Sequence, residues 1–349
     1  FGTVYAAVDN VEKKPIAVKI QRPGRKLSQV ALDEISLLRV VREKLEEDEG
    51  ESPRRCSGGR HVVRIFGHFV HKGLSGMQVC TQLELLGPSL LDLLKDCKYK
   101  GLPLPLVKVI TRDVLRGLHF LHERCNIIHT DLKPENVLLS VRPVHAKIVD
   151  LGNACLKDKK FTEDIQTIEY RSPEVIVGSG YDASADMWSL ACMVFELITG
   201  EYLFDPKECT AHGKLLYSRE EDLLAHQQEL LGLMPLALTK GGRRFKEFFK
   251  PNGELRNIFS LKFWALPQVL QQKYKMKEEV AAQVSDFLLP MLKFNPKERA
   301  TALEMLNHPW LTAEEEEVKA EVKEGAVKGG QEERKEEEGR EESQGTEKR

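Results

Sequence analysis

The feature that most constrains this chain is the sequence His-Thr-Asp-Leu-Lys-Pro-Glu-Asn ending at Asn136, followed by Asp-Leu-Gly beginning at Asp150. Within it, Asp131 supplies a carboxylate that can accept a proton, and Lys133 supplies a cation for a phosphate. Asn136 and Asp150 supply the oxygen ligands that a hard divalent cation prefers. Four fixed residue types at fixed offsets arise by chance at roughly one position in 10^5. The pattern therefore predicts phosphoryl transfer from a magnesium nucleotide, with ATP and Mg2+ as the cofactors.

The composition excludes several classes of protein. The chain has 349 residues, of which 41% are hydrophobic and 30% are charged, and its formal net charge is -2. This balance is typical of a globular protein and argues against one that coats nucleic acid. No apolar run reaches the length of a membrane span. The seven cysteines include no Cys-x-x-Cys pair and fit neither a cysteine zinc site nor a disulfide framework. We therefore expect a reducing compartment, cytoplasmic, nuclear or both.

The first part of the chain has the pattern of strands around one helix. Residues 15–21 alternate with period two, as in a β-strand. A helix is expected from about Ser28, a favourable N-cap, to about Leu45, where a charged loop should follow. A small strand-rich lobe is therefore predicted over residues 1–85.

The following part has the pattern of a helical lobe. Apolar residues recur between Val107 and Leu121 with the spacing of one helix face, and residues 186–199 are apolar nearly all round. The second segment predicts a helix buried in the middle of a domain. From residue 313 onward the chain is rich in Glu, Lys, Gly and Gln, so we expect a disordered charged tail. The predicted domains are residues 1–85, 86–312 and 313–349.

Four strings connect the chain to a known family. It resembles the eukaryotic protein kinases over residues 1–312, and among them it most resembles the SR-protein kinases, which phosphorylate serines in Arg-Ser-rich splicing factors. The resemblance implies a bilobal α+β kinase fold, with a small antiparallel β-sheet lobe carrying one main helix and a larger, mainly α-helical lobe. It implies a serine/threonine kinase acting on Arg-Ser-rich proteins, and we expect a monomer without direct nucleic acid binding. The strings are IHTDLKPEN at 128–136, VDLGNAC at 149–155, FTEDIQT at 161–167 and FLLPML at 287–292.

The resemblance assigns a role to each residue of the first motif. Asp131 is the expected base for the proton of the substrate hydroxyl, and Lys133 is expected to neutralise the γ-phosphate. Asn136 and Asp150 are the expected magnesium ligands. Catalysis of this type depends on where each side chain points.

The nucleotide side of the site is expected in the small lobe. Lys19, in the sequence Ile-Ala-Val-Lys, should bind the α- and β-phosphates, with Glu34 on the next helix as its counter-charge. The chain begins at Phe1, without the first strand and two further glycines of the family's glycine-rich loop, so we expect it to bind ATP poorly. Small apolar side chains should lie above and below the adenine, next to a hinge segment. The residues expected at the nucleotide are Gly2, Val4, Ala17, Lys19, Glu84, Leu86 and Leu138.

The substrate side is expected in the large lobe. An Arg-Ser-rich substrate is strongly cationic, so its docking surface should be anionic, as in the acidic groove of the SR-protein kinases. Near the substrate, Arg171 and Arg219 match arginines that hold a phosphoserine, whereas Ile168 stands where a third arginine is usual. The sequence therefore does not predict processive phosphorylation. The positions that match the acidic groove are Glu201, Asp222, Glu229 and Lys273.

The activation segment, residues 150–174, is expected to hold its active shape by packing. Kinases that are switched by phosphorylation use an arginine where Thr130 stands here, and a threonine cannot pair with a phosphate in that way. The resemblance further implies three contacts, which are Glu174 with Arg299, Asp186 with the catalytic-loop backbone, and Thr167 with both Asp131 and Lys133.

Two alternative functions follow from the same residues. A LAMMER- or DYRK-type kinase shares parts of the catalytic loop, but the strings at 149–155 and 161–167 weigh against it. A catalytically impaired kinase fold could serve as a binding scaffold. The residues that weigh against the scaffold are Lys19, Glu34, Asp131, Asn136 and Asp150.

Overall fold

The structure is a computed structural model that describes residues 2–51, 58–73, 76–140, 144–211 and 213–312. Phe1–Met305 forms one compact unit, and of the second unit, which begins at Leu306, the structure describes residues 306–312, with 309–312 helical. The tail predicted from residue 313 lies outside the described residues, and the predicted domain limits at residues 85 and 312 stay predictions.

The N-terminal part is an antiparallel four-stranded sheet with the order β1-β2-β4-β3. The strand predicted over residues 15–21 is present with those limits as β2. In the register of the sheet, Val4 lies opposite Lys19, and Ala17 lies opposite Leu83. The strands are β1 Gly2–Val8, β2 Pro15–Gln21, β3 Ile65–Gly73 and β4 Gly76–Glu84.

Helix α1, Arg25–Glu51, packs against this sheet and is longer than predicted. The expected limits near Ser28 and Leu45 are wrong at both ends. The charged stretch stays helical because glutamate is a good helix former. A partner distant in sequence adds to this, since Arg124 Nη2 lies 2.6 Å from Asp48 Oδ1. Helical periodicity alone does not reveal such a partner.

The larger part is mainly helical, so the predicted combination of a small antiparallel sheet with one main helix and a larger helical lobe is confirmed. The central helix is buried along nearly its whole length and ends before Gly200, which has a φ of 80°. A Cβ at Gly200 would lie 1.9 Å from the carbonyl oxygen of Tyr99, so only glycine fits there. The helices are α2 Leu90–Asp96, α3 Leu104–His119, α4 Pro173–Val177, α5 Ser184–Thr199, α6 Arg219–Leu231, α7 Leu236–Lys240, α8 Phe245–Phe248, α9 Leu266–Gln272, α10 Glu278–Leu288 and α11 Ala302–Leu306.

Short strand pairs position the loops that carry the first motif. The strand pairs are β5 Ile127–Ile128 with β8 Cys155–Leu156, β6 Val137–Leu139 with β7 Ala146–Ile148, and β9 Cys209–Ala211 with β10 Lys214–Tyr217. Asn136 directly precedes β6 and Asp150 closely follows its antiparallel partner β7, so these two side chains emerge at the same end of one strand pair, whereas Asp131 follows β5 of the other pair. Among the described helices, none combines the length and the apolarity that crossing a bilayer requires.

Candidate active site

Lys19 lies on β2 between two carboxylates. Its Nζ is 2.8 Å from Glu34 Oε1 and 2.8 Å from Asp150 Oδ1, so the expected ion pair with Glu34 is present. Burial disfavours the ammonium, but attraction to Glu34 and Asp150 outweighs it and raises the pKa of Lys19. The lysine is therefore charged and held where a metal-bound phosphate would meet it. Its contact with the α- and β-phosphates stays a prediction.

Asp131 is oriented by two neighbouring side chains. Thr167 Oγ1 donates to Asp131 Oδ1 at 2.7 Å, and Lys133 Nζ lies 3.0 Å from Asp131 Oδ2. Lys133 Nζ also donates to Thr167 Oγ1 at 2.8 Å. The threonine hydroxyl thus donates its one hydrogen bond to the aspartate and accepts a hydrogen bond from the lysine. The bridge expected at Thr167 is confirmed, and it fixes the direction of the candidate base.

Asn136 and Asp150 form a donor set that suits Mg2+. Asn136 Nδ2 donates to the backbone oxygen of Asp131 at 2.7 Å, so the nitrogen end of the amide is occupied and the oxygen Oδ1 can serve as a ligand. Burial raises the pKa of Asp150, but attraction to Lys19 outweighs this and lowers the pKa below its usual value. An ionised carboxylate and an amide oxygen are the hard ligands that Mg2+ requires. These two residues could therefore hold the metal.

The backbone around the site has an unusual conformation at three non-glycine positions. Thr130, Asp150 and Gln166 have φ values of 69°, 61° and 66°. Asp186 on α5 accepts from the backbone N–H groups of His129 and Thr130, both at 2.8 Å. The predicted brace of the catalytic loop by Asp186 is confirmed. Left-handed backbone at a β-branched residue is costly and is typical of functional sites.

Gln166 anchors the activation segment, and the sequence analysis did not single it out. Its Nε2 donates to Ala185 O and Ser189 Oγ, each at 2.9 Å. Its Oε1 accepts from the N–H and the hydroxyl of Ser172, each at 3.0 Å. The buried amide therefore makes four hydrogen bonds. The sequence signal that could have identified Gln166 is its position within the FTEDIQT string.

A buried ion pair closes the far end of the activation segment. Arg299 Nη1 lies 2.8 Å from Glu174 Oε1, and Arg299 Nη2 lies 2.9 Å from Glu174 Oε2. Both side chains are 0% exposed. The contact predicted between Glu174 and Arg299 is confirmed, and its geometry is bidentate.

The residues predicted at the adenine lie on strands of both parts, β1 and β2 of the N-terminal sheet and β6 of the larger part. Ala17 is buried on β2, Val4 is exposed on β1, and Leu138 lies on β6. The side chain of Glu84, at the end of β4, is held 2.7 Å from Lys147 Nζ, so an adenine contact from Glu84 would come from its backbone. Leu86 lies two residues further along the chain.

Gly2 approaches the neighbouring strand closely. A Cβ at Gly2 would lie 2.3 Å from the carbonyl oxygen of Ile20, so only glycine fits this strand pairing. The nucleotide contacts of Gly2 and of the adenine-site residues stay predictions.

The predicted docking residues occupy two places. Lys273 Nζ lies 2.7 Å from Glu201 Oε2, which forms one ion pair. Asp222 and Glu229 lie seven residues apart on α6 and therefore share one face. Each accepts a backbone N–H from a neighbouring loop. The N–H of Lys207 donates to Asp222 at 2.8 Å, and that of Lys262 donates to Glu229 at 2.7 Å.

The two predicted phosphoserine-binding arginines are already paired with carboxylates. Arg219 Nη2 lies 2.7 Å from Glu169 Oε1. Arg171 contacts Asp164 at 3.1 Å and Glu220 at 3.2 Å. A phosphoserine would therefore have to compete with these partners for the guanidinium groups.

Three carboxylates, those of Glu135, Glu169 and Glu196, lie close enough to influence one another electrostatically, and the sequence analysis did not single them out. Glu196 is buried on α5 and accepts from the hydroxyl of Tyr170. Burial, together with repulsion from Glu135 and Glu169, raises the pKa of Glu196 to about 7. The available signals were a glutamate near the end of a mostly apolar helix, whose other charged residue is Asp186, and a glutamate inside the first motif.

Comparison with known proteins agrees with this geometry. The pattern of the protein kinase domain matches residues 1–311. The Serine/threonine-protein kinase SRPK of Physarum polycephalum is 39% identical, over 89% of this chain and 83% of that protein. Protein kinase dsk1 of Schizosaccharomyces pombe is 32% identical, over 89% and 78%. The human SRSF protein kinase 3 is 30% identical, over 89% and 84%.

Proposed function

Because this chain belongs to the protein kinase family and is a serine/threonine kinase of the SRPK type, we propose that it phosphorylates serines of Arg-Ser-rich proteins. A protein kinase domain uses ATP, typically with Mg2+. The name of the human relative identifies that protein as a kinase of SRSF proteins. We propose that this substrate class also applies to the present chain.

The observation that carries this proposal is the carboxylate group of Glu135, Glu169 and Glu196. Burial of Glu196, with repulsion from Glu135 and from Glu169, which is itself paired with Arg219, raises the pKa of Glu196 to about 7. A substrate guanidinium would relieve the repulsion and displace the proton from Glu196, because an opposite charge favours the ionised form. Arginine fits better than lysine, since its planar fork can contact two carboxylates at once.

The catalytic residues have separate tasks in the proposed reaction. Asp131, held by Thr167, accepts the proton of the serine hydroxyl and aligns its oxygen for in-line attack. Lys133 neutralises negative charge on the transferred group. Lys19, fixed by Glu34, orients the phosphates. Asn136 and Asp150 would hold the Mg2+, which would supply charge neutralisation at the phosphate oxygens when bound.

Docking of the basic substrate is proposed along α6. Asp222 and Glu229 present carboxylates on one helix face, and Glu201 adds a third carboxylate from the segment after α5. An anionic surface speeds encounter with a cationic peptide and selects against acidic ones. Lys273, paired with Glu201, limits the negative charge at that end.

The proposed location is the cytoplasm, the nucleus or both. The six cysteines within the described residues are free thiols, which supports a reducing compartment.

The test is transfer of labelled phosphate to three peptides of equal length, which are an Arg-Ser repeat, a Lys-Ser repeat and an Arg-x-x-Ser-Pro sequence. We expect the Arg-Ser repeat to be phosphorylated most efficiently, and Asp131→Asn to abolish transfer to all three. Preference for Arg-x-x-Ser-Pro would favour the LAMMER- or DYRK-type alternative. Absence of transfer to any peptide would favour the scaffold.

A selective variant tests the carboxylate group. Glu196→Gln should lower kcat/KM for the Arg-Ser peptide by about tenfold, because one charge-assisted contact is lost. The Lys-Ser repeat serves as the internal control and should respond less. An equal loss for both peptides would contradict guanidinium recognition at Glu196.

A further inference from the structure

Three potential metal ligands converge outside the residues assigned to phosphoryl transfer. His61 ends a 3-10 helix that follows α1, Asp113 lies on α3, and His145 directly precedes β7. Their ligand atoms lie within 4.8 Å of one another. His61 and Asp113 are buried, whereas the side chain of His145 is 47% exposed. Three segments far apart in sequence therefore meet at one small polar cluster.

The distances within this cluster fit the edges of a coordination polyhedron. His61 Nδ1 is 3.5 Å from Asp113 Oδ1, and His145 Nδ1 is 3.4 Å from Asp113 Oδ2. A charge-assisted hydrogen bond would be shorter, about 2.7–2.9 Å. A tetrahedral zinc ion with nitrogen and oxygen ligands at about 2.0–2.2 Å places neighbouring ligand atoms about 3.3–3.5 Å apart. The two separations have this length but end on different oxygens of Asp113, so one oxygen would bind the ion while Oδ2 keeps the hydrogen bond from Ala146 N.

A backbone oxygen completes the set. Ala146 O lies 3.2 Å from His61 Nδ1 and accepts its hydrogen bond in the absence of an ion. If the imidazole binds a metal through Nδ1, that proton leaves, and the carbonyl oxygen faces the same point. Ala146 O or a water molecule would then be the fourth ligand.

The charge around Asp113 favours a cation here. Its side chain is 4% exposed, and Ala146 N donates to Oδ2 at 3.0 Å. The side chain beside it that is always positively charged is Arg116, whose Nη1 lies 3.5 Å from Oδ1. The Arg116 side chain is 40% exposed, so it can turn toward solvent when another cation enters.

We propose that His61, Asp113 and His145 bind one zinc ion. Two imidazoles and a carboxylate are ligands that zinc accepts in proteins, whereas Mg2+ prefers oxygen ligands alone. The ion joins the 3-10 helix after α1 to α3 and to the β6–β7 hairpin. It therefore stabilises the packing of the α1 segment on the large lobe. This site is separate from the proposed phosphoryl transfer and does not depend on it.

The experiment is a zinc titration of the full chain after treatment with a chelator, in excess Mg2+ to occupy the nucleotide-linked metal site. Competition with a chromogenic chelator gives the stoichiometry and the affinity. We expect one zinc ion per chain and a rise in Tm of about 2–4 °C at saturating zinc. Cobalt(II) should give the intense visible bands of a tetrahedral site.

The decisive variant is His145→Ala, because this half-exposed residue can be changed without disturbing the core. Zinc affinity should fall at least tenfold, and both the Tm shift and the cobalt bands should disappear. His71→Ala, at an exposed position on β3, is the matched control and should bind zinc like the parent. Equal affinity of the parent and both variants, or an octahedral cobalt spectrum, would overturn the site. None of these measurements uses kinase activity, so they stand whatever the substrate proves to be.

Discussion

The hydroxyl of Thr130 donates a 2.7 Å hydrogen bond to the backbone carbonyl oxygen of Asn153. This contact joins the catalytic loop to the start of the activation segment. Gln166 makes a second set of neutral contacts from the same segment to α5. Contacts of this kind form without a phosphate group, whereas an arginine at the position of Thr130 would need a phosphorylated residue as its partner. We therefore expect an activation segment whose shape is independent of phosphorylation.

The first prediction concerns this hydrogen bond. Thr130→Val should lower kcat about tenfold with little change in the KM for ATP, because the Asn153 carbonyl loses its partner at a cost of about 1–3 kcal/mol. Thr130→Ser keeps the hydroxyl and should retain most of the activity. Phosphatase treatment of the parent should leave kcat unchanged in the same steady-state assay. Activity that phosphatase removes and rephosphorylation of residues 150–174 restores would contradict this account.

The second prediction concerns the buried pair of Glu174 and Arg299. Glu174→Gln leaves the guanidinium without its counter-charge in a fully buried place, so the free energy of unfolding should fall by about 3–5 kcal/mol. Urea unfolding followed by fluorescence measures it. Glu254→Gln removes the partner of an exposed pair with Lys250 and should change nothing measurable. A similar small effect for both variants would show that the buried pair is not needed for stability.

What the sequence could predict followed from local patterns and from a dense motif. The period of residues 15–21 was sufficient for β2, because a strand needs only its own alternation. The candidate roles of Asp131 and Asn136 could be predicted because they depend on residue type at close spacing. Contacts such as Glu174 with Arg299, 125 residues apart, came only from the family resemblance.

What the sequence could not predict depends on partners brought together by the fold. The end of α1 was wrong because Asp48 meets Arg124 from the other lobe. Gln166 was missed because two of its partners, Ala185 and Ser189, lie on α5. The convergence of His61, Asp113 and His145 is of the same kind, since no spacing in the chain indicates it.

The third prediction concerns the proposed docking surface. The double variant Asp222→Lys with Glu229→Lys should weaken binding of a long Arg-Ser peptide at least tenfold, because two attractions become repulsions. The loss should shrink as salt rises. Fluorescence anisotropy at several salt concentrations measures both effects.

The control for that experiment is a reversal of equal charge elsewhere. Glu278→Lys with Glu279→Lys changes two exposed positions in the first turn of α10 and should leave peptide binding nearly unchanged. Because Asp222 and Glu229 also hold loop backbone, Asp222→Asn with Glu229→Gln should be compared. Peptide affinity unchanged in the lysine variant would remove α6 from the docking surface.

The fourth prediction follows from the raised pKa of Glu196, which is about 7 rather than the ordinary 4.5. Between these two values the folded protein retains a proton that the unfolded chain releases. The free energy of unfolding must therefore fall as the pH rises from about 4.5 to about 7, and it is unaffected by this group outside that window. At about 1.4 kcal/mol per pH unit, the contribution is on the order of 3 kcal/mol.

Glu196→Gln isolates this contribution, because glutamine keeps an oxygen that can accept from the Tyr170 hydroxyl but cannot ionise. Urea unfolding of the parent and the variant should be measured at pH 5 and pH 8, so that all other titrating groups cancel in the comparison. The parent should lose about 2–3 kcal/mol more than the variant over this interval. Parallel losses would mean that Glu196 ionises as freely as an exposed glutamate, and the carboxylate group would then lack the electrostatic strain that makes it a site for a substrate guanidinium.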